Sequence, residues 1–126
     1  MPESNSTLPA EALHGIELFN QGHYFEAHEA LENAWRAEPG PIRSLYQGIL
    51  QAAVCYLHIT RNNHEGAVKM YGRCMKLLEP LPAICQGVNV EALRQDLKQV
   101  IAEVERLGDG NLAQFNRQLF RKVQLR

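Results

Sequence analysis

The chain has 126 residues, 45% hydrophobic and 21% charged, with 13 Lys and Arg against 14 Asp and Glu for a formal charge of −1. That is enough for one domain around a single core, and the near-neutral balance supplies no global field to hold nucleic acid or an anionic membrane. No segment approaches the ~20 apolar residues that span a bilayer, and the start MPESNSTLP has neither a basic region nor an apolar run. Cys55, Cys74 and Cys85 are odd in number, far apart and form no CxxC, so they read as reduced, packed thiols and the protein as cytoplasmic.

Residues 1–8 are expected to form a disordered polar tail. Ser6 or Thr7 can cap a first helix that carries Pro9 in its tolerant first turn and Leu13, Ile16, Leu18 and Phe19 as apolar positions. Gly22 ends it. A second helix runs from about Tyr24 to Ala37, and EPGP at 38–41 is a strong break, with Pro41 placed to open the next helix. That third helix, PIRSLYQGILQAAVCYLHIT, is apolar around most of its circumference and must sit at the centre of the domain. RNN closes it, Asn63 can cap a fourth helix, HEGAVKMYGRCMKLLE, and Pro80 with Pro82 stop that one. A ten-residue loop leads to Asn89, cap of a fifth helix whose Val90, Leu93, Leu97, Val100, Val104 and Leu107 recur three and four apart until Gly108. A seam of this regularity packs along its whole length, inside a monomer or across the axis of a homodimer.

No strand candidate is visible. The expected class is therefore all-α: a compact bundle of about five helices in antiparallel hairpins, without sheet, over residues 9–108. Residues 109–126 follow as a short helix or extended tail, in which Phe115, Leu119 and Phe120 can dock while Arg117, Arg121, Lys122 and Arg126 stay solvated. Gly15, Ala27, Leu31, Ala34 and Pro39 fall at a spacing that resembles a tetratricopeptide helix pair, and HITRNNHEGAVKMYGRCMKLLEP is a looser copy shifted by forty residues. The long third helix does not suit a solenoid, so the echo reads as shared helix-hairpin geometry.

The chemistry concentrates in GHYFEAHEALENAW, residues 22–35. At ~100° per residue, His28, Glu32 and Trp35 share one stripe about 60° wide, with Glu29 and Arg36 on its flank. One turn separates His28 from Glu32, so a ring nitrogen and a carboxylate oxygen can converge on one divalent ion; a carboxylate as second ligand admits manganese or iron as well as zinc. On the third helix Arg43, Gln47, Gln51 and His58 lie within about 80° of one another. If that stripe faces the first, His58 is a third ligand, Gln47 and Gln51 support the site, and Arg43 neutralises a carboxylate. The plainer alternative is a surface His–Glu hydrogen bond beside a core tryptophan. His14, His23 and His64 lack partners at ligand spacing and read as surface residues.

FNQGHYFEAHEALENAWR, with YQGILQAAVCYLHITRNNHEGA downstream, resembles the family known as domain of unknown function 309, over roughly residues 15–80. The family comprises small all-helical proteins of bacteria, archaea and plastids marked by a His-x-x-x-Glu-x-x-Trp motif. The resemblance implies the helical fold and a metal site at the motif that His28, Glu32 and Trp35 match, with His28 and Glu32 as its ligands, and it implies no particular reaction.

Two functions compete. In the first, His28 and Glu32 hold a divalent metal (Zn, Mn or Fe) or a small polar ligand, Glu29 or Glu26 acts as base on bound water, and Trp35 excludes solvent, with hydrolysis as the default chemistry. In the second, the chain is a helix-hairpin interaction module without catalysis, in which Tyr24, Phe25 and Trp35 form a groove for a peptide and His28 and Glu32 lock it. Burial discriminates them: a concave site with an open coordination position favours the first, a flat aromatic surface the second.

Overall fold

The computed structural model describes residues 8–126; the expected tail up to residue 7, with Ser6 and Thr7, lies outside the described residues. Leu8 is already packed into the core. Helix α1 (Ala10–Asn20) and α2 (Tyr24–Ala37) form one antiparallel hairpin, α3 (Arg43–Thr60) and α4 (His64–Leu78) a second, and α5 (Val90–Leu107) closes the bundle.

Both hairpins turn in the same way. After α1, Gly22 adopts φ +84°, and the Gly22 and His23 amides donate back to the Phe19 and Leu18 carbonyls at 2.9 Å each. After α3, forty residues on, Asn62 adopts φ +55°, and the Asn62 and Asn63 amides donate to the Ile59 and His58 carbonyls at 3.1 and 2.9 Å. This is the Schellman termination, which needs a left-handed residue that Gly supplies freely and Asn tolerates. Asn63 then caps α4, its side chain accepting from the Gly66 amide at 3.0 Å. Close approach follows: a Cβ on Gly15 would lie 2.6 Å from the Leu31 side chain, and one on Gly48 2.6 Å from that of Leu78.

Helix α3 is central, as its composition requires, with Leu45, Ile49, Ala52, Ala53 and Cys55 fully buried. The seam of α5 is spent within the chain, since Leu93, Leu97, Val100 and Val104 are buried. Arg94, also buried, donates to the Leu78 and Leu81 carbonyls at 2.6 and 3.1 Å and so satisfies the end of α4. Pro41 and Ile42 form a turn, so α3 opens two residues later than Pro41 suggests.

The all-α class holds with one departure from the expected absence of sheet. Strands β1 (Ile84–Cys85) and β2 (Val88–Asn89) pair antiparallel, Ile84 opposite Asn89 and Cys85 opposite Val88. Gln86 and Gly87 between them both have positive φ, 53° and 78°, as a two-residue primed turn demands. Strands of two residues show no alternation, so periodicity could not announce them. Asn89 still caps α5, accepting from the Ala92 amide at 2.9 Å.

Residues 109–126 form a strap of two 3-10 turns, Leu112–Gln114 and Arg117–Leu119, and an extended end whose Leu125 bridges Val88. Asn20 clamps it, donating to the Val123 carbonyl at 3.1 Å and accepting from the Val123 amide at 2.7 Å. Phe120 stacks on Tyr56, ring centroids 4.5 Å apart, and on Phe115 at 4.9 Å. Beneath the strap lies a buried carboxyl, Asp96, 4.0 Å from the Arg121 guanidinium. Burial raises its pKa above the ordinary 3.8, and Arg121 opposes the shift.

Two tests follow from this packing. Leu78 is fully buried and its side chain would lie 2.6 Å from the added carbon, so Gly48→Ala is expected to destabilise by ~1–3 kcal/mol. Gly72→Ala, with nothing within 4 Å of the added carbon, should stabilise by ~0.5–1 kcal/mol, both read by urea denaturation. For Asp96, a raised folded-state pKa favours the protonated form, so its favourable contribution is complete below 3.8 and lost as pH rises through the folded-state value. Asp96→Asn is therefore expected to raise Tm at about pH 7, with the gain closing below about pH 3 in a thermal-melt series.

Candidate functional site

The heptad-like burial of α2 places Tyr24, Ala27, Ala30, Leu31 and Ala34 inward, which leaves His28, Glu32 and Trp35 on the flank as a half-buried stripe. His28 Nε2 lies 3.9 Å from Glu32 Oε1, with the two side chains 31% and 34% exposed. The other carboxylate oxygen, Oε2, accepts from Arg36 Nη2 at 2.8 Å, also one turn on. Arg36 is thus a partner that the sequence reading left on the flank, although a Glu followed by Arg at i+4 is a recognised helix pair. Phe25, 48% exposed, stands 6.1 Å from the His28 ring.

The short connection brings α3 alongside in antiparallel register, and the two polar stripes meet at one end. The Arg43 guanidinium sits 4.6 Å from the centroid of the Trp35 ring, a cation–π contact. Arg43 Nε and Gln51 Oε1 are buried without a hydrogen-bond partner among the described residues, and Gln47 is half-buried between them in sequence. Arg43 therefore caps Trp35 and does not neutralise Glu32, the task that Arg36 performs.

Two expected members belong elsewhere. His58 turns toward α4: its Nδ1 is 3.0 Å from the Asn63 side-chain nitrogen Nδ2, and its ring occupies the space where a Cβ on Gly66 would come within 2.8 Å. Burial, with Arg61 nearby, lowers its pKa. The reason is the Schellman turn, which folds Asn63 and Gly66 back over the last turn of α3. Tyr24 is a core residue, edge-on to Phe19, Tyr56 and Phe120 at 5.3, 5.5 and 5.6 Å, and burial pushes its phenol up to about 12 against the nearby Arg117. Glu26 and Glu29 are exposed, outside the stripe.

Among the described residues no group of three or more His, Cys, Asp or Glu side chains gathers to hold a metal. His28 and Glu32 supply two donors, fewer than the three protein ligands of a catalytic zinc site, and one of them is already held by a guanidinium. The arrangement suits a carbonyl, carboxylate or aromatic group laid against Trp35 and Arg43 better than it suits a caged cation.

Residues 12–70 match the model of a family described as Domain of unknown function (DUF309). An uncharacterized protein of Bacillus subtilis (strain 168), YpuF, is 34% identical over 65 residues, covering 51% of this chain and 37% of the relative. An uncharacterized protein of Aquifex aeolicus (strain VF5) is 24% identical over 88 residues, covering 69% and 26%. The chain thus matches well under half the length of each of these relatives.

Trp35 is the only tryptophan, so its emission reports this site alone. Arg43→Ala is expected to shift that emission to the red and to lower stability by ~0.5–1 kcal/mol in a denaturant titration, the loss of one partly exposed cation–π contact.

Proposed function

We propose that the DUF309-matching region of this chain, residues 12–70, is a recognition module that binds a peptide segment across the α2–α3 face, without catalysis of its own. The observation that carries this reading is the Arg43 guanidinium stacked over a half-buried Trp35. Trp and Arg are the residue types most often found at the energetic centre of protein interfaces, and here both are held rigidly by helices and open on one side. Phe25, nearly half exposed and beside the His28 ring, adds an apolar side chain nearly three turns before Trp35, and the Glu32–Arg36 pair supplies a polar rim. The bound segment offers an apolar side chain to Phe25 and Trp35 and a carboxylate or carbonyl to Arg43. The lengths of the relatives agree with modular use, since the matched stretch is 37% of one and 26% of the other.

A second reading keeps His28 and Glu32 as two ligands of a divalent ion, with the remainder supplied by water or by the bound partner. It rests on the 3.9 Å approach of His28 Nε2 to Glu32 Oε1. No hydrolytic step is assigned to it.

Selection of peptides from a random displayed library, followed by titration of the winners against Trp35 emission, tests the proposal. Peptides that quench Trp35 and bind Arg43→Ala at least ~10-fold more weakly are expected, the loss of one charge-assisted contact. Winners indifferent to Trp35→Phe and Arg43→Ala would refute it. Calorimetric binding of zinc, manganese or iron(II) that disappears in both His28→Ala and Glu32→Ala would establish the second reading instead.

A further inference from the structure

At the other end of α2, away from Trp35, the first turn of that helix meets the last turn of α3 and the C-terminal strap around an open cavity of about 430 Å³. Small-molecule sites fall in this size range and combine apolar walls with a few convergent polar groups. The walls here are the Tyr24 and Phe120 rings and the Leu57 side chain, and the polar rim includes Asn20, Gly22 and Arg117.

Three observations give the cavity a sign. No carboxylate is among its lining residues, whereas Arg117 is. Helix α2 opens beside it with no side-chain cap: the Ala27 amide, bonded to the His23 carbonyl at 2.8 Å, is the first one satisfied within the helix. The amides of Tyr24, Phe25 and Glu26 precede it and carry the positive end of a 14-residue helix. The carbonyl ends of α1, at Asn20 and Gln21, and of α3 also border the cavity, and both are partly quenched: the Gly22 and His23 amides donate to the Phe19 and Leu18 carbonyls at 2.9 Å each, and the Thr60 hydroxyl donates to the Leu57 carbonyl at 2.7 Å. The walls are also held in place. Asn20 clamps Val123 through two hydrogen bonds, and Asn62 accepts from the Leu112 amide at 3.0 Å, so the strap is pinned on both sides of Arg117 and Phe120.

We infer that this cavity binds a small organic carboxylate with a flat apolar body, its carboxylate between Arg117 and the start of α2 at Gly22 and Tyr24, its body against Phe120, Leu57 and Tyr24. Arg117 supplies a planar donor fork that matches a carboxylate. The Tyr24 phenol, pushed up to about 12 by burial, stays protonated at neutral pH and is able to donate. Such a group comes from a free aromatic acid or from the C-terminal residue of a peptide. The site is separate from the Trp35–Arg43 face and does not depend on it.

Titration of the isotope-labelled full chain with benzoate, benzyl alcohol and N-acetylphenylalanine, followed through backbone amide shifts, tests the inference. Benzoate is expected to give saturable shifts at Gly22 to Glu26 and in the strap around Phe120. Benzyl alcohol should bind at least ~10-fold more weakly, and Arg117→Gln should weaken benzoate by a similar factor while leaving benzyl alcohol unchanged. Arg117 is exposed, so that variant keeps the fold, and its amide spectrum verifies this directly. Tighter binding of N-acetylphenylalanine than of benzoate identifies a peptide terminus as the source; the reverse order identifies a free acid. Equal response to benzoate and benzyl alcohol, insensitivity to Arg117→Gln, absence of saturable shifts, or shifts confined to other surfaces would overturn it.

Discussion

Everything in this fold depends on two helical hairpins being able to close tightly. Each closure needs one residue in the left-handed region, Gly22 in the first and Asn62 in the second, and each hairpin then packs a small residue against its partner helix. Ala27 and Ala67, forty residues apart like the turns, are both fully buried at the start of the returning helix. Where contact is tightest there is no side chain at all, at Gly15 under Leu31 and Gly48 under Leu78. Because the backbones approach so closely, α3 is shared between the two hairpins and becomes the axis of the core. The tetratricopeptide-like echo in the sequence is the trace of this shared constraint.

The hairpins alone would leave the aromatic end of the core uncovered. Phe19, Tyr24 and Tyr56 converge where α1 ends, α2 begins and α3 ends, and the strap supplies the lid in Phe120 and Phe115. The cost is polar burial, since Tyr56 Oη and Asp96 Oδ2 lie buried without partners among the described residues. Besides the backbone bonds that join its end to Gly87 and Asn89, the strap is held by the side chains of Asn20 and Asn62 at the hairpin turns, so the features that close the hairpins also anchor the lid. Turn geometry, strap and cavity are therefore one mechanical unit.

The stripe on α2 shows how one motif divides its roles. Glu32 is shared between His28 and Arg36, and Trp35 is covered by Arg43 from the neighbouring helix. The guanidinium groups of Arg36 and Arg43 gather at the Glu32–Trp35 end of the stripe, while the His28 end faces Phe25. Half-burial matters as much as charge: a fully buried Trp35 would be a core anchor, a fully exposed one would be mobile, and the intermediate position gives a fixed ring with an accessible side.

Much of this architecture was legible before any coordinates. The boundaries of α2 and α5, the capping roles of Asn63 and Asn89, the central place of α3 and the common stripe of His28, Glu32 and Trp35 all follow from local periodicity and backbone preference, which act within a few residues. The strands at 84–89 escaped because two residues carry no period, and His58 was misplaced because angular position on a helix does not say which neighbour a flank faces. What the residues alone determined was the set of helices and the polarity of each face. Which faces meet was decided by tertiary structure: Arg43 on Trp35, His58 against Asn63 and Gly66, and a strap from the far end of the chain completing a cavity at the start of α2. Those contacts depend on how whole helices cross and on where a distant segment returns, and no local spacing encodes either.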